Sequence, residues 1–113
     1  VATGAEILAL LERPRDSLLL ELGAVAGHDA FPRSPLQRGS EVYNALRESL
    51  RDSICNDARV LSLRDESNRR AELVAAIADI VATSTVGIPP FTVAVLIVRD
   101  GLPRLCAKHW QDD

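Results

Sequence analysis

The stretch Ser84–Cys106, STVGIPPFTVAVLIVRDGLPRLC, decides how the whole chain is read. From Phe91 to Val98 it is apolar except for Thr92. A run with no polar side is buried on every side. Pro89-Pro90 enters the run and Arg99-Asp100-Gly101 leaves it. Two prolines suit the first turn of a helix, where their missing amides have no intrahelical partner to lose. Gly101, with Pro103 just beyond, suits a helix end. Against this, Thr92, Val93, Val95, Ile97 and Val98 are β-branched and favour strand. Helix is the better reading, because no second alternating strand is available and a lone strand would leave its backbone groups unpaired. A central apolar helix over about residues 89–100 is therefore expected, covered by amphipathic helices.

Moving outward, the best covering face lies just upstream. After the polar start Asp65–Arg70, the stripe Leu73, Val74, Ile77, Ile80 and Val81 recurs at helical spacing, with Ala71, Ala75, Ala76 and Ala78 adding propensity. Val60, Leu61 and Leu63 before it suit a helical turn or a short extended piece. A third helix carries Val42, Tyr43, Leu46, Leu50 and Ile54 on one stripe, with Arg47, Glu48, Arg51 and Asp52 largely off it. Its start is either Ser34-Pro35, with Gln37 at the third position, or Ser40 past Gly39. Asn56-Asp57 ends it. Leu18, Leu19, Leu22, Val25 and Ala26 mark a helix over 17–26, with Gly27 as its cap. Thr3-Gly4-Ala5-Glu6 has capping-box form and opens a short helix stopped by Pro14. Downstream, Leu102 and Leu105 should pack back on the core, leaving 106–113 as a tail or final turn. The expected fold is all-α: one domain over 1–113, a compact bundle of four to five short helices around the central helix.

Composition agrees. At 113 residues, with 47% apolar and 26% charged side chains, the chain has ordinary globular character. A domain of this size buries about two-thirds of its unfolded surface and needs no staple. Phe31, Tyr43, Phe91 and Trp110 are the only aromatics, so Leu, Val, Ile and Ala must fill the core. The net charge of −3 disfavours a nucleic-acid binder. Val86–Val98 would reach about 20 Å as helix against a ~30 Å bilayer core, so no membrane span is expected. Val1-Ala2-Thr3-Gly4 is soon followed by charge and does not read as a signal peptide. Cys55 and Cys106, far apart in sequence, suit buried thiols in a reducing compartment, which points to the cytoplasm. Arg outnumbers Lys twelve to one, in keeping with a GC-rich bacterial coding sequence.

Several groups could carry chemistry. Cys106 and His109 are three apart, near enough for two metal ligands or a thiol with its base, and Lys108 could help lower the thiol pKa. Only Cys55 and His28 could complete a zinc set, and the spacing matches no zinc motif. Arg59, Arg64, Arg69 and Arg70 cluster between the third and fourth helices, but Asp57, Asp65, Glu66 and Glu72 interleave them as on a solvated mixed-charge face. The glycines show no phosphate-loop spacing. Phe31 and Trp110 fall outside the core stripes and could anchor a partner or plug a core edge.

The role expected from these features is a non-catalytic protein-interaction or regulatory domain. It could be an accessory module of a larger bacterial effector or a small homo-oligomer, with protein partners or self-association and no cofactor. Partner contacts are expected from Phe31, Trp110, Arg69 and Arg70. The alternatives are a small DNA-binding regulator using Arg59–Arg70, and a Cys/His-dependent thiol or metal enzyme using Cys106 and His109.

Overall fold

The computed structural model describes residues 3–25 and 34–110. Helices form throughout: α1 (Gly4–Glu12), α2 (Arg15–Val25), α3 (Pro35–Cys55), α4 (Ala58–Leu63), α5 (Arg70–Ser84), α6 (Pro90–Asp100) and α7 (Leu102–Leu105). The 3-10 turn Ser67–Arg69 leads into α5. No strand occurs among the described residues. The fold is all-α, and the short helices α4 and α7 add to the expected four or five. His28, Phe31 and the Gly27 cap lie outside the described residues.

The central helix is α6. Pro89 caps it with extended backbone, and Gly101 ends it with φ 107°, a conformation that favours glycine, its amide donating to Ile97 O at 3.1 Å. Val93, Ala94, Val95, Leu96 and Ile97 are essentially inaccessible. Helices α1, α2, α5 and α7 pack around it, with α5 making the largest contribution. The α5 face that touches the core includes Leu73, Val74, Ile77 and Val81, as the stripe predicts. Thr92, the polar break in the run, is buried and donates from Oγ1 to Glu21 Oε2 of α2 at 2.9 Å. Its hydroxyl is thereby satisfied.

The most extensive helix pair is α2 with α3. Its closeness depends on two glycines. A Cβ on Gly23 would lie 1.9 Å from Pro35 O, and one on Gly39 would lie 1.8 Å from Leu19 O. Gly39 is therefore a backbone crossing point and not a helix break. The helix starts at Ser34, whose hydroxyl accepts from Gln37 N at 3.1 Å. Asp57, read as the end of α3, also caps α4 by accepting from Arg59 N and Val60 N at 2.9 and 3.2 Å. The capping box at Thr3 and Glu6 is formed.

One expectation is corrected here. Cys55 and Cys106 are not separate thiols; they form a disulfide, with Cα atoms 5.5 Å apart. The reason is topological. Helix α7 folds back onto the C-terminal end of α3, so residues 51 apart in sequence meet in space. The same corner holds Trp110, whose Nε1 donates to Cys55 O at 2.9 Å and whose ring lies 4.7 Å beneath the Arg64 guanidinium. Among the described residues no helix is long and apolar enough to cross a membrane.

Candidate functional site

Polar chemistry gathers where α6 ends. Tyr43 of α3 is fully buried, and a buried phenol needs a partner for its hydroxyl. It donates to Asp100 Oδ2, on the last residue of α6, at 2.7 Å. Arg15, the first residue of α2, clasps the same carboxylate from Nε to Oδ1 at 2.9 Å and from Nη2 to Oδ2 at 3.0 Å. Three helices are thus tied at one carboxylate by a bidentate pair, the strongest form of arginine contact. The Arg15 and Arg47 guanidiniums also lie 5.8 and 5.6 Å from the Tyr43 ring centre, within cation–π range.

This setting fixes protonation. Burial pulls the Asp100 carboxyl upward, but the hydrogen bonds from Arg15 and Tyr43 and the charges of Arg15 and Arg47 outweigh it and hold the group below its ordinary value. Burial, and then the hydrogen bond to Asp100, raise the Tyr43 phenol well above its ordinary value. At neutral pH the pair is a carboxylate and a neutral phenol.

Beside this knot opens a recess of about 410 Å³. Its lining includes Arg15, Arg47, Arg51, Arg104 and Asp100, with Asn44 polar and Leu105 the one apolar member. Arg47 and Arg51 stand one helical turn apart on α3, and α7 brings Arg104 across from them. Among the described residues four guanidiniums and one carboxylate line the recess, an excess of three positive charges. Glu48, which accepts from Arg51 at 2.6 Å, reduces the excess to two. This charge sits on a chain whose net charge is −3. The Nε groups of Arg47 and Arg51 are buried and lack a hydrogen-bond partner among the described residues. Each such donor costs about 1–3 kcal/mol.

The residues singled out from sequence lie elsewhere. Cys106 is held in the disulfide and presents no thiolate, so the thiol reading loses its nucleophile in this form. His109 is turned away to Asp52, with Nε2 2.6 Å from Oδ1. No group of three or more His, Cys, Asp or Glu side chains among the described residues is placed to hold a metal ion. Trp110 is folded back against the core. Arg69 is exposed and donates from Nε to Glu72 at 3.0 Å, while Arg59 pairs with Asp79 at 2.8 Å and Arg64 with Asp65 at 3.8 Å. Arg70 is exposed beside α1, in a groove with Leu11 and Glu12.

Sequence reasoning missed the recess because its residues come from four helices spread between positions 15 and 105. Two signals pointed to it. Tyr43 lay on a buried stripe with a hydroxyl to satisfy, and Arg47 and Arg51 are like charges one turn apart with Glu48 as their near counter-charge. Comparison with protein-family models, curated proteins and solved structures finds no match to the chain, so the recess itself must carry the functional reading.

Proposed function

We propose that this is a non-catalytic recognition domain that binds an anionic group of a protein partner in the recess formed by α2, α3, α6 and α7. The observation that carries the reading is the recess of excess positive charge lined by Arg15, Arg47, Arg51 and Arg104, two of which, Arg47 and Arg51, also have buried Nε groups without a partner among the described residues. Such groups weaken the isolated fold, and local violations of this kind mark functional sites. An arginine fork is the side chain best matched to carboxylate or phosphate oxygens. The recess offers binding in preference to proton transfer: Asp100 is fixed as a carboxylate by two donors, and the Tyr43 phenol holds its proton. The role is then regulatory, through a bound partner or a second copy of the chain. The mixed-charge Arg59–Arg70 region is less suited to a nucleic-acid surface, since Arg59, Arg64 and Arg69 each hold an acidic neighbour. The cytoplasmic setting expected from sequence sits poorly with a Cys55–Cys106 bond, because thiol reductants keep such pairs open there. An oxidising compartment suits it better.

Thermal unfolding in a panel of phosphate, sulfate, citrate and acetate salts at constant ionic strength tests the reading. A ligand of the native state raises the midpoint as its concentration passes its Kd. At least one anion should do so for the wild type, and the effect should vanish in Arg47→Ala with Arg104→Ala but persist in Arg69→Ala. No saturable effect from any anion, or an equal loss in Arg69→Ala, contradicts it.

A further inference from the structure

We propose that the group bound in the recess is a phosphoryl group held by the Arg47, Arg51 and Arg104 guanidiniums, with Arg15 and Asp100 fixing the wall behind them. The inference rests on the anion-recognition reading and narrows it by chemistry.

Three observations select the phosphoryl class. The carboxylate position in the recess is already filled: Asp100 occupies the Arg15 fork with both oxygens. The three remaining guanidiniums come from two elements, α3 and α7. A carboxylate offers two oxygens, which one fork can saturate, whereas a phosphoryl group offers three acceptor oxygens to several donors. Charge gives the same answer. Once Asp100 and Glu48 are counted, the recess keeps an excess of two positive charges, and a phosphoryl monoester carries about −1.5 to −2 at neutral pH. The third observation concerns the body that carries the anion. Leu105 is the one apolar residue of the lining, and the Tyr43 ring is buried beneath Arg15 and Arg47. Among the described residues no apolar wall or aromatic face lines the recess for a nucleobase, so the anion itself supplies the affinity. The open volume of about 410 Å³ exceeds that of the phosphoryl group and leaves room for the short polar segment bearing it. The source is either free inorganic phosphate or a phosphorylated side chain.

Calorimetric titration of the disulfide-bonded protein separates the possibilities. The probes are inorganic phosphate, acetate, a phosphoserine peptide and the same peptide unphosphorylated. Phosphate should bind at least about tenfold more tightly than acetate, as expected when further charge-assisted hydrogen bonds form. Arg47→Lys and Arg51→Lys keep the charge but remove the fork, and each should weaken phosphate about tenfold. Arg104→Ala, at an exposed position of α7, should weaken it similarly while leaving the unfolding midpoint near that of the wild type. A phosphopeptide that outbinds inorganic phosphate supports the class and identifies the source as a modified side chain. The reverse order supports the class, identifies a free ligand and contradicts the protein partner of the proposed function. Equal affinity for phosphate and acetate overturns the phosphoryl assignment and leaves the anion recess standing. No binding of any probe overturns both. Lysine variants that bind like the wild type overturn the role of the forks.

Discussion

Along the body of α6, Val93 to Ile97 are enclosed by apolar side chains from α1, α2, α5 and α7, and the buried Thr92 hydroxyl has its acceptor in Glu21. One turn further on, Asp100 stands at the edge of a recess in which four arginines gather and two buried Nε groups go unpaired. The two regions belong to the same helix and follow opposite rules. The body satisfies every demand internally and gains stability from burial. The end holds charge that the fold does not neutralise, which is costly for the isolated domain and useful for binding. Perturbations should therefore separate them: changes in the body should destroy the fold, and changes at Arg47 and Arg104 of the recess should spare it.

The largest effect is expected from Val95→Asp. Val95 is fully enclosed, and an unpaired carboxylate there costs several kcal/mol, against a total stability of about 5–15 kcal/mol for a domain. Circular dichroism and urea titration should show an unfolded chain. A cooperatively folded Val95→Asp protein would place the α6 body at a surface instead.

Next comes the Cys55–Cys106 bond, which pins α7 to α3, two of the helices that line the recess. With a sequence separation of 51, chain-entropy arguments assign it about 4 kcal/mol. Cys55→Ser with Cys106→Ser should lower the urea midpoint accordingly. Because Arg104 travels with α7, the variant should also lose phosphate affinity even under conditions where it stays folded. Unchanged affinity would show that Arg104 is positioned without the bond.

Asp100→Asn should cost about 2 kcal/mol at neutral pH, the scale of hydrogen bonds to a charged group. The pH dependence has a definite sign. The folded-state value of Asp100 is depressed, so its contribution is fully present above the ordinary carboxyl range and is lost as pH falls through that lowered value. Urea midpoints taken from pH 7 down to pH 2 should converge between wild type and variant at the acid end. A gap that stays constant with pH would mean that the carboxylate charge is not what ties Arg15 and Tyr43 together.

The smallest effect is the most telling for the recess. Arg47→Met keeps the stem packing over Tyr43 but removes a buried unpaired donor and a like charge near Arg51. Stability should hold or rise by less than about 1 kcal/mol while phosphate affinity falls. A clear loss of stability would make Arg47 a structural residue.

The legibility of the chain divides along the same line. The α6 body could be read because its signals are local: Pro89-Pro90 and Gly101 mark the ends, and the apolar run and the α5 stripe mark the packing. Gly39 left the start of α3 open between Ser34 and Ser40, since a glycine inside a helical pattern looks like a boundary until the Leu19 backbone is seen against it; the Ser34 start is the one that forms. The disulfide was hidden because sequence distance says nothing of a helix that folds back. The recess was hidden for a deeper reason. Arg47 and Arg51 read locally only as residues off the apolar stripe of α3, and nothing adjacent in sequence singles out Arg15 or Arg104. Their function lies in convergence, which only the packing of α2, α6 and α7 on α3 creates.

The central claim, that the Arg47 and Arg51 guanidiniums hold an anion, can be observed at their Nε–Hε groups. In 1H–15N spectra of the disulfide-bonded protein, the Nε–Hε signals of Arg47 and Arg51 should shift progressively and saturably as inorganic phosphate is added at constant ionic strength. The Arg69 signal, on a guanidinium already paired with Glu72, should stay in place. Unmoved Arg47 and Arg51 signals, or a uniform drift of all arginines without saturation, would contradict the account.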